Sequence, residues 1–293
     1  MTLVLPTKIA WFRFQQGDVV HTGGFEPDGQ RFVDFGPLDV QALLLQGGLR
    51  RSDLTARLQS GKPMALPQCF QLPVPRPGKI LCLAKNYLAH AREFGAEPPP
   101  EPIFFAKLPD TLVPHGAPVR LPHWLLSRVD HEAELALVLG FEDPQQRGAK
   151  YVNGAAATAL VAGYTLLNDV TARKLQGTDR DQKYPWLRSK SFDTFCPVGP
   201  MVVPVDAIDT SDLAITMTVN GEIRQSARTS QMVFSIEQAL VAMARCTTLH
   251  SGDLIAMGTP EGVGPIQCGD QMTVAIEHLG ELSNPVQREA TPL

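Results

Sequence analysis

The residues best suited to chemistry lie in one short run, Asp130-His131-Glu132-Ala133-Glu134-Leu135. In a strand, alternate side chains share a face. Glu132 and Glu134 then point the same way, about 6.5–7 Å apart along the backbone, and can converge on one ion. The opposite face carries Ala133, Leu135 and Leu137, which suits a core. Enclosing two like charges is costly unless a cation pairs with them. All-oxygen ligation points to Mg²⁺ or Mn²⁺, with Ca²⁺ as an option, rather than zinc. From E-x-E alone, a solvated acidic face is favoured by roughly three to one, because exposed Glu is the common state. A third carboxylate changes that balance. Asp169 ends the apolar run 163–168, where sites are often built; equally, it could cap a helix from Val170 onward.

These acids need elements to hold them. Residues 9–14 and 19–21 read as strands around the turn Gln16-Gly17-Asp18, and 25–31 hold a Pro-Asp-Gly turn signal. Residues 40–58 have an irregular helical pattern. Pro67, Pro73, Pro75, Pro77 and Gly78 then favour an extended linker. The expected division is a small N-terminal domain, 1–76, and a main domain, 77–293. The main domain opens with an apolar strand at 80–84. Asn86 is placed to cap a helix through Tyr87, His90 and Glu93, which Gly95 ends and Pro98-Pro99-Pro100 stops from resuming. Further strands are expected at 103–107, 130–139 and 253–257, the last leading into Gly258-Thr259-Pro260. Residues 155–165 turn from a helix end into a strand. Residues 215–219 with Asn220-Gly221 read as a hairpin, and 234–244 as an amphipathic helix. Strands with few helices make an α+β fold with a β-rich core.

Composition narrows the function. The 293 residues are 44% hydrophobic and 19% charged, as in a globular protein with a proper core. Net charge is −4 and no Lys/Arg-rich run occurs, which argues against a nucleic-acid partner. Five scattered cysteines without a CxxC make a disulfide framework or zinc knuckle unexpected and fit a reducing compartment. Residues 1–14 lack the pattern of a signal peptide. The longest weakly polar stretch, 155–164, is too short to span a bilayer. The expectation is a cytoplasmic enzyme without a membrane partner.

Five segments then align with a known pattern: Gly78-Lys79-Ile80 through Asn86-Tyr87-Leu88-Ala89-His90; Asp130 to Leu135; Asn168-Asp169-Val170-Thr171-Ala172-Arg173-Lys174-Leu175-Gln176; Lys190-Ser191-Phe192-Asp193; and Gly252-Asp253-Leu254-Ile255 with Gly258-Thr259-Pro260-Glu261-Gly262-Val263-Gly264-Pro265. In order and spacing, over roughly residues 78–275, the chain resembles the fumarylacetoacetate hydrolase family. The resemblance implies a mixed β-sandwich roll after a small N-terminal domain, usually in a homodimer. It implies a divalent ion held by Glu132, Glu134 and Asp169. It implies an acid–base dyad of His90 and Glu93, which at i and i+3 share a helix face, and a catalytic Lys190 facing a substrate oxygen. Gln176 would bond water or substrate, Thr259 would hold a substrate carboxylate, and Lys107 would be a pocket lysine. Arg173 would be a further pocket residue, its alternative being to pair with a structural acid. His131, Lys174 and the Tyr184-Pro185-Trp186 segment depart from the family pattern without touching these ligands; substrate choice stays open.

The implied activity is on a small 2-oxo acid or its enol. Water attack would hydrolyse the C–C bond of an acylpyruvate. Without water, the same site would decarboxylate oxaloacetate or isomerise a 2-hydroxydienedioate. A catalytically idle metal- or ligand-binding homologue is the alternative of another class, opposed by the retained His90 and Glu93. A phosphate-binding reading of 258–264 is weak, because the Gly-Lys-Ser/Thr ending is missing.

Overall fold

The computed structural model describes residues 3–45, 49–93, 97–141, 143, 145–146 and 148–291. Its largest sheet runs, in spatial order, Lys62–Met64, Arg31–Asp34, Val19–Glu26, Ala10–Gln16, Cys196–Pro204, Val161–Asn168, Ala133–Leu139, Leu254–Ala256, Ile80–Ala84 and Ile103–Lys107. Phe70–Gln71 joins it beside Ala10–Gln16, and Leu112–Pro114 beside Cys196–Pro204. A five-stranded sheet orders Glu222–Arg228, Ala214–Val219, Gln271–Ile276, Gly280–Arg288 and Val119–Leu121. A small three-stranded sheet orders Thr171–Ala172, Val129–His131 and Gly264–Pro265.

The strand Ala133–Leu139 shows why the layers stack. It is buried at every position. Leu135, Leu137 and Leu139 join a core shared with Ile215, Met217 and Val274 of the five-stranded sheet. Ala136 and Val138 face the other way, into a core with Trp11, Leu44, Leu54 and Leu58. Period-two alternation therefore sorts one strand into two cores. The helices Val40–Leu45 and Arg51–Ser60 close the second core with those leucines. The result is the sheet-rich α+β architecture expected, with a sandwich on one side of the main sheet. Strand Ala10–Gln16 hydrogen-bonds Cys196–Pro204, so residues before 76 extend the main sheet.

Several local expectations are met. The hairpin turns at Asn220-Gly221 between Ala214–Val219 and Glu222–Arg228. Helix Ile236–Cys246 starts with a Ser235/Gln238 capping box. Others need correction. Residues 130–139 form two strands, broken at Glu132, because its backbone turns aside: its N–H donates to Asn168 Oδ1 at 2.9 Å, and its carbonyl accepts from Asp169 N–H at 2.9 Å. The face opposite the leucines is enclosed as well, not solvated. Residues 40–58 divide into two helices. Asn86 caps nothing: its Nδ2 donates to the Met257 carbonyl at 2.7 Å and its Oδ1 accepts from Phe234 N–H at 2.8 Å. The helix after it is Leu88–Glu93; the expected stop at Gly95 lies outside the described residues. Asp169 is not a helix cap either, since the next helix starts at Arg173.

Candidate active site

Three elements deliver the acids. Glu132 sits in the break between two strands, Glu134 is the second residue of Ala133–Leu139, and Asp169 follows the last residue of Val161–Asn168. Those last two strands pair with Ala133 opposite Asn168, which sets Asp169 beside Glu132. One carboxylate oxygen from each of Glu132, Glu134 and Asp169 lies within 4.8 Å of the others, and all three residues are buried.

Cations surround two of the three. Lys190 Nζ donates to Glu132 Oε2 at 2.8 Å and to Asp169 Oδ2 at 2.6 Å. Lys107 Nζ donates to Asp169 Oδ1 at 2.7 Å and to the Lys190 carbonyl. Arg173 donates to Glu132 Oε1, to Asp130 Oδ2 at 2.8 Å, and to Gln176 Oε1 at 2.6 Å. Glu134 differs: its Oε2 accepts from Gly258 N–H at 2.7 Å, and among the described residues no cation contacts it. Gly258 has φ +90°, and a Cβ there would meet Asn86 Cβ at 2.7 Å. Glycine is thus required for the turn that aims this N–H.

The electrostatics follow. Burial pushes the Glu134 carboxyl well above the ordinary carboxylate range, and the Asp169 and Glu132 charges push it further. Burial acts the same way on Glu132, but Lys190 and Arg173 overrule it and hold that carboxyl below the ordinary range. Burial would lower the Lys190 ammonium, yet Asp169 and Glu132 raise it on balance. A divalent cation suits this donor set: three buried carboxylates face one point, and among the described residues no cation is in contact with Glu134.

A cavity of about 500 Å³ opens onto the cluster, and His90, Glu132, Glu134, Gln176, Lys190 and Thr259 all line it. Phe105 and Trp186 form an aromatic wall, their rings 5.7 Å apart with edge-to-face tilt, and Lys190 Nζ lies 4.8 Å from the Phe105 centroid. His90 and Glu93 meet on their helix, Nδ1 to Oε2 at 3.2 Å. Burial lowers the His90 imidazole below its ordinary value, opposed by Glu132 and Glu93. Glu93 and Asp169 stand behind the lining residues. Lys107, expected in the pocket, is placed beneath Asp169 instead, with its ammonium directed at Asp169 and two backbone carbonyls. Arg173, a weaker pocket candidate with pairing to a structural acid as its alternative, both pairs with Asp130 and lines the cavity.

Sequence reasoning assigned no role to Asp130, Asn168 or Gln225. Asp130 anchors Arg128 at 2.6 Å as well as Arg173. Its signal was its place at the head of the acidic run. Gln225 had a weaker signal, a polar residue at the inward position of an otherwise exposed strand.

The site is an acid-lined, cation-edged cavity walled by main-sheet strands, the helices Leu88–Glu93, Arg173–Asp181 and Leu187–Lys190, and the turn at Thr259. Residues 79–287 match the fumarylacetoacetate (FAA) hydrolase C-terminal family, and the chain belongs to it. A mitochondrial oxaloacetate tautomerase of Bos taurus is 38% identical over 281 residues, 92% of this chain and 84% of that protein. Among solved structures, the fumarylacetoacetate hydrolase of Exiguobacterium antarcticum superposes with a TM-score of 0.82 at 32% identity, covering 96% of this chain and all of that one. The maleylpyruvate hydrolase of Sphingobium sp. SYK-6, solved with manganese (II) and pyruvate, superposes with a TM-score of 0.78 at 29% identity, with the same coverage.

Proposed function

We propose that this chain is a divalent-metal-dependent enzyme that hydrolyses a C–C bond in a small acylpyruvate or related β-diketo acid. The observation that carries this reading is the convergence of Glu132, Glu134 and Asp169 on one point, with Glu132 and Glu134 lining a cavity that His90 also lines. A Mg²⁺ or Mn²⁺ ion held by those three carboxylates would supply Lewis-acid polarisation of the 2-oxo group. His90 donates its Nδ1 proton to Glu93, which leaves Nε2 as the basic atom. Nε2 takes a proton from water as the water oxygen bonds to the distal carbonyl carbon. The bond from that carbon to C3 then breaks, its electron pair passing to the 2-oxygen as an enolate, which takes the proton back from Nε2 to give the enol of pyruvate beside the released acid. Lys190 keeps positive charge where oxygen gains negative charge, Gln176 bonds the incoming water or substrate, and Thr259 holds the carboxylate. Lys107 supports this from below by fixing Asp169. Lys85 and Arg180 also line the cavity and favour an anionic substrate.

A tautomerase is the second reading, favoured by the bovine relative that spans nearly the whole chain. It needs only the proton movement at His90 and no attack by water. We also propose a homodimer, and a reducing compartment to match five free thiols. Among the described residues no helix is long and apolar enough to cross a membrane.

Turnover of acylpyruvates and oxaloacetate with Mg²⁺ or Mn²⁺ separates these readings: pyruvate release marks hydrolysis, and loss of enol absorbance without products marks tautomerisation. Glu132→Gln should abolish metal binding and activity together. Full activity in that variant without added metal would overturn the proposal.

A further inference from the structure

Gln225 is 1% exposed, although its strand Glu222–Arg228 is otherwise mostly solvated. All four of its amide hydrogen-bonding positions are used. Oε1 accepts from Ala133 N–H at 3.0 Å and faces His131 Nδ1 at 3.2 Å. Nε2 donates to the Pro260 carbonyl at 2.8 Å and to Thr259 Oγ1 at 2.8 Å. Two of these partners admit only one role. A backbone N–H can only donate, and a proline carbonyl can only accept. The orientation of the amide is therefore fixed by chemistry, without the usual ambiguity between its oxygen and nitrogen.

The consequence falls on Thr259. Its Oγ1 must accept from Gln225, so its own hydroxyl hydrogen points elsewhere. Thr259 lines the cavity. We propose that Gln225 is a positioning residue that locks the Thr259 hydroxyl as a hydrogen-bond donor to the bound ligand, so that this point of the cavity selects an anionic oxygen over an N–H donor. The same amide is bonded to the backbone of Ala133, between Glu132 and Glu134. One side chain thereby fixes the ligand-binding loop against the strand that carries the acids. This inference rests on the proposed 2-oxo acid site and adds the direction of one hydrogen bond within it.

Calorimetric titration tests it with Mn²⁺-loaded protein and two probes, pyruvate and pyruvamide. Gln225→Glu keeps the shape and the acceptor to Ala133 but removes both donors. The Thr259 hydroxyl then turns to donate to the new carboxylate. Pyruvate affinity should fall about ten- to a hundredfold, the effect of losing a hydrogen bond to a charged group, and pyruvamide affinity should fall less. Thr259→Val should cost a similar factor in the native background and little more in the Gln225→Glu background. Thr259→Ser should retain affinity. Were Gln225→Glu unable to fold, Gln225→Met, of similar shape but without the donor to Thr259, decides in its place: it should weaken pyruvate more than pyruvamide, and equal affinity to the native protein overturns the proposal. The proposal is overturned if Thr259→Val binds pyruvate as tightly as the native protein, or if Gln225→Glu weakens both probes equally. Failure of the native protein to bind pyruvate with Mn²⁺ would instead remove the underlying site assignment.

Discussion

Among single residues, His90 carries the proton chemistry proposed above. Its hydrogen bond to Glu93 and its place on the cavity wall give it a proton to move but no share in holding the cation. His90→Ala should lower kcat by about 10²–10⁴-fold, the usual worth of a positioned acid–base group, while Mn²⁺ affinity by calorimetry stays at the native value. A silent substitution against a turned-over substrate would remove His90 from the chemistry. E-x-E spacing pointed to the two glutamates as a shared face, whereas Asp169 and the His90–Glu93 dyad came from the family resemblance, with which i, i+3 helix geometry agrees. Lys107 shows the limit. A lysine at a strand end gives no hint whether it faces the cavity or supports an acid from beneath, since that depends on the path of residues far away, here Lys190 and Val170. Gln225 gave only a weak signal for the same reason, since its partners lie 34 to 94 positions off in sequence.

At the scale of elements, the turn after Leu254–Ala256 is the most exposed to test. Gly258 aims its N–H at Glu134 only by adopting φ +90° against Asn86. Gly258→Ala should shift that turn, free Glu134 and weaken Mn²⁺ binding about tenfold or more, with turnover falling in parallel. Unchanged Mn²⁺ affinity would show that the turn does not hold the carboxylate. Strand existence was readable here from apolar runs bounded by turn residues. The break at Glu132 was not, because an uninterrupted alternating pattern hides a backbone that changes sheets. The two-sided burial of Ala133–Leu139 was also hidden, since Ala136 and Val138 alone do not reveal that helices from the N-terminal region will cover them.

At the scale of the whole molecule, the first 76 residues are joined to the rest by strand pairing and by a common core. Trp11 and Leu54 pack in one cluster with Cys196, Val198 and Val202. A chain of residues 77–293 should therefore lose cooperative unfolding and expose apolar surface; a sharp native-like transition with native Mn²⁺ affinity would show an autonomous domain. The strand pairing across the proline-rich segment was not legible in sequence, as nothing local encodes a partner nearly 200 residues away. His115 ties distant parts in a pH-dependent way. Its Nδ1 accepts from Ser283 N–H at 3.1 Å, and its ring meets Phe70 edge-on. Burial lowers its imidazole below the ordinary value. As pH falls, the unfolded chain binds the proton first, near the ordinary value of about 6.5. The stability carried by the neutral ring is complete above that pH and lost as pH drops through the lower folded value. The urea midpoint should fall between pH 7.5 and 5.5, and fall less in His115→Gln; identical pH dependence would contradict this.

The most direct test of the whole is a crystal structure of the chain with Mn²⁺ and pyruvate, read by anomalous scattering. One manganese peak is expected, with oxygens of Glu132, Glu134 and Asp169 at about 2.0–2.6 Å, the reach of hard oxygen-ligated cations, and pyruvate in the same cavity. Saturating manganese with no peak between those three carboxylates, or a peak held by other residues, would contradict it.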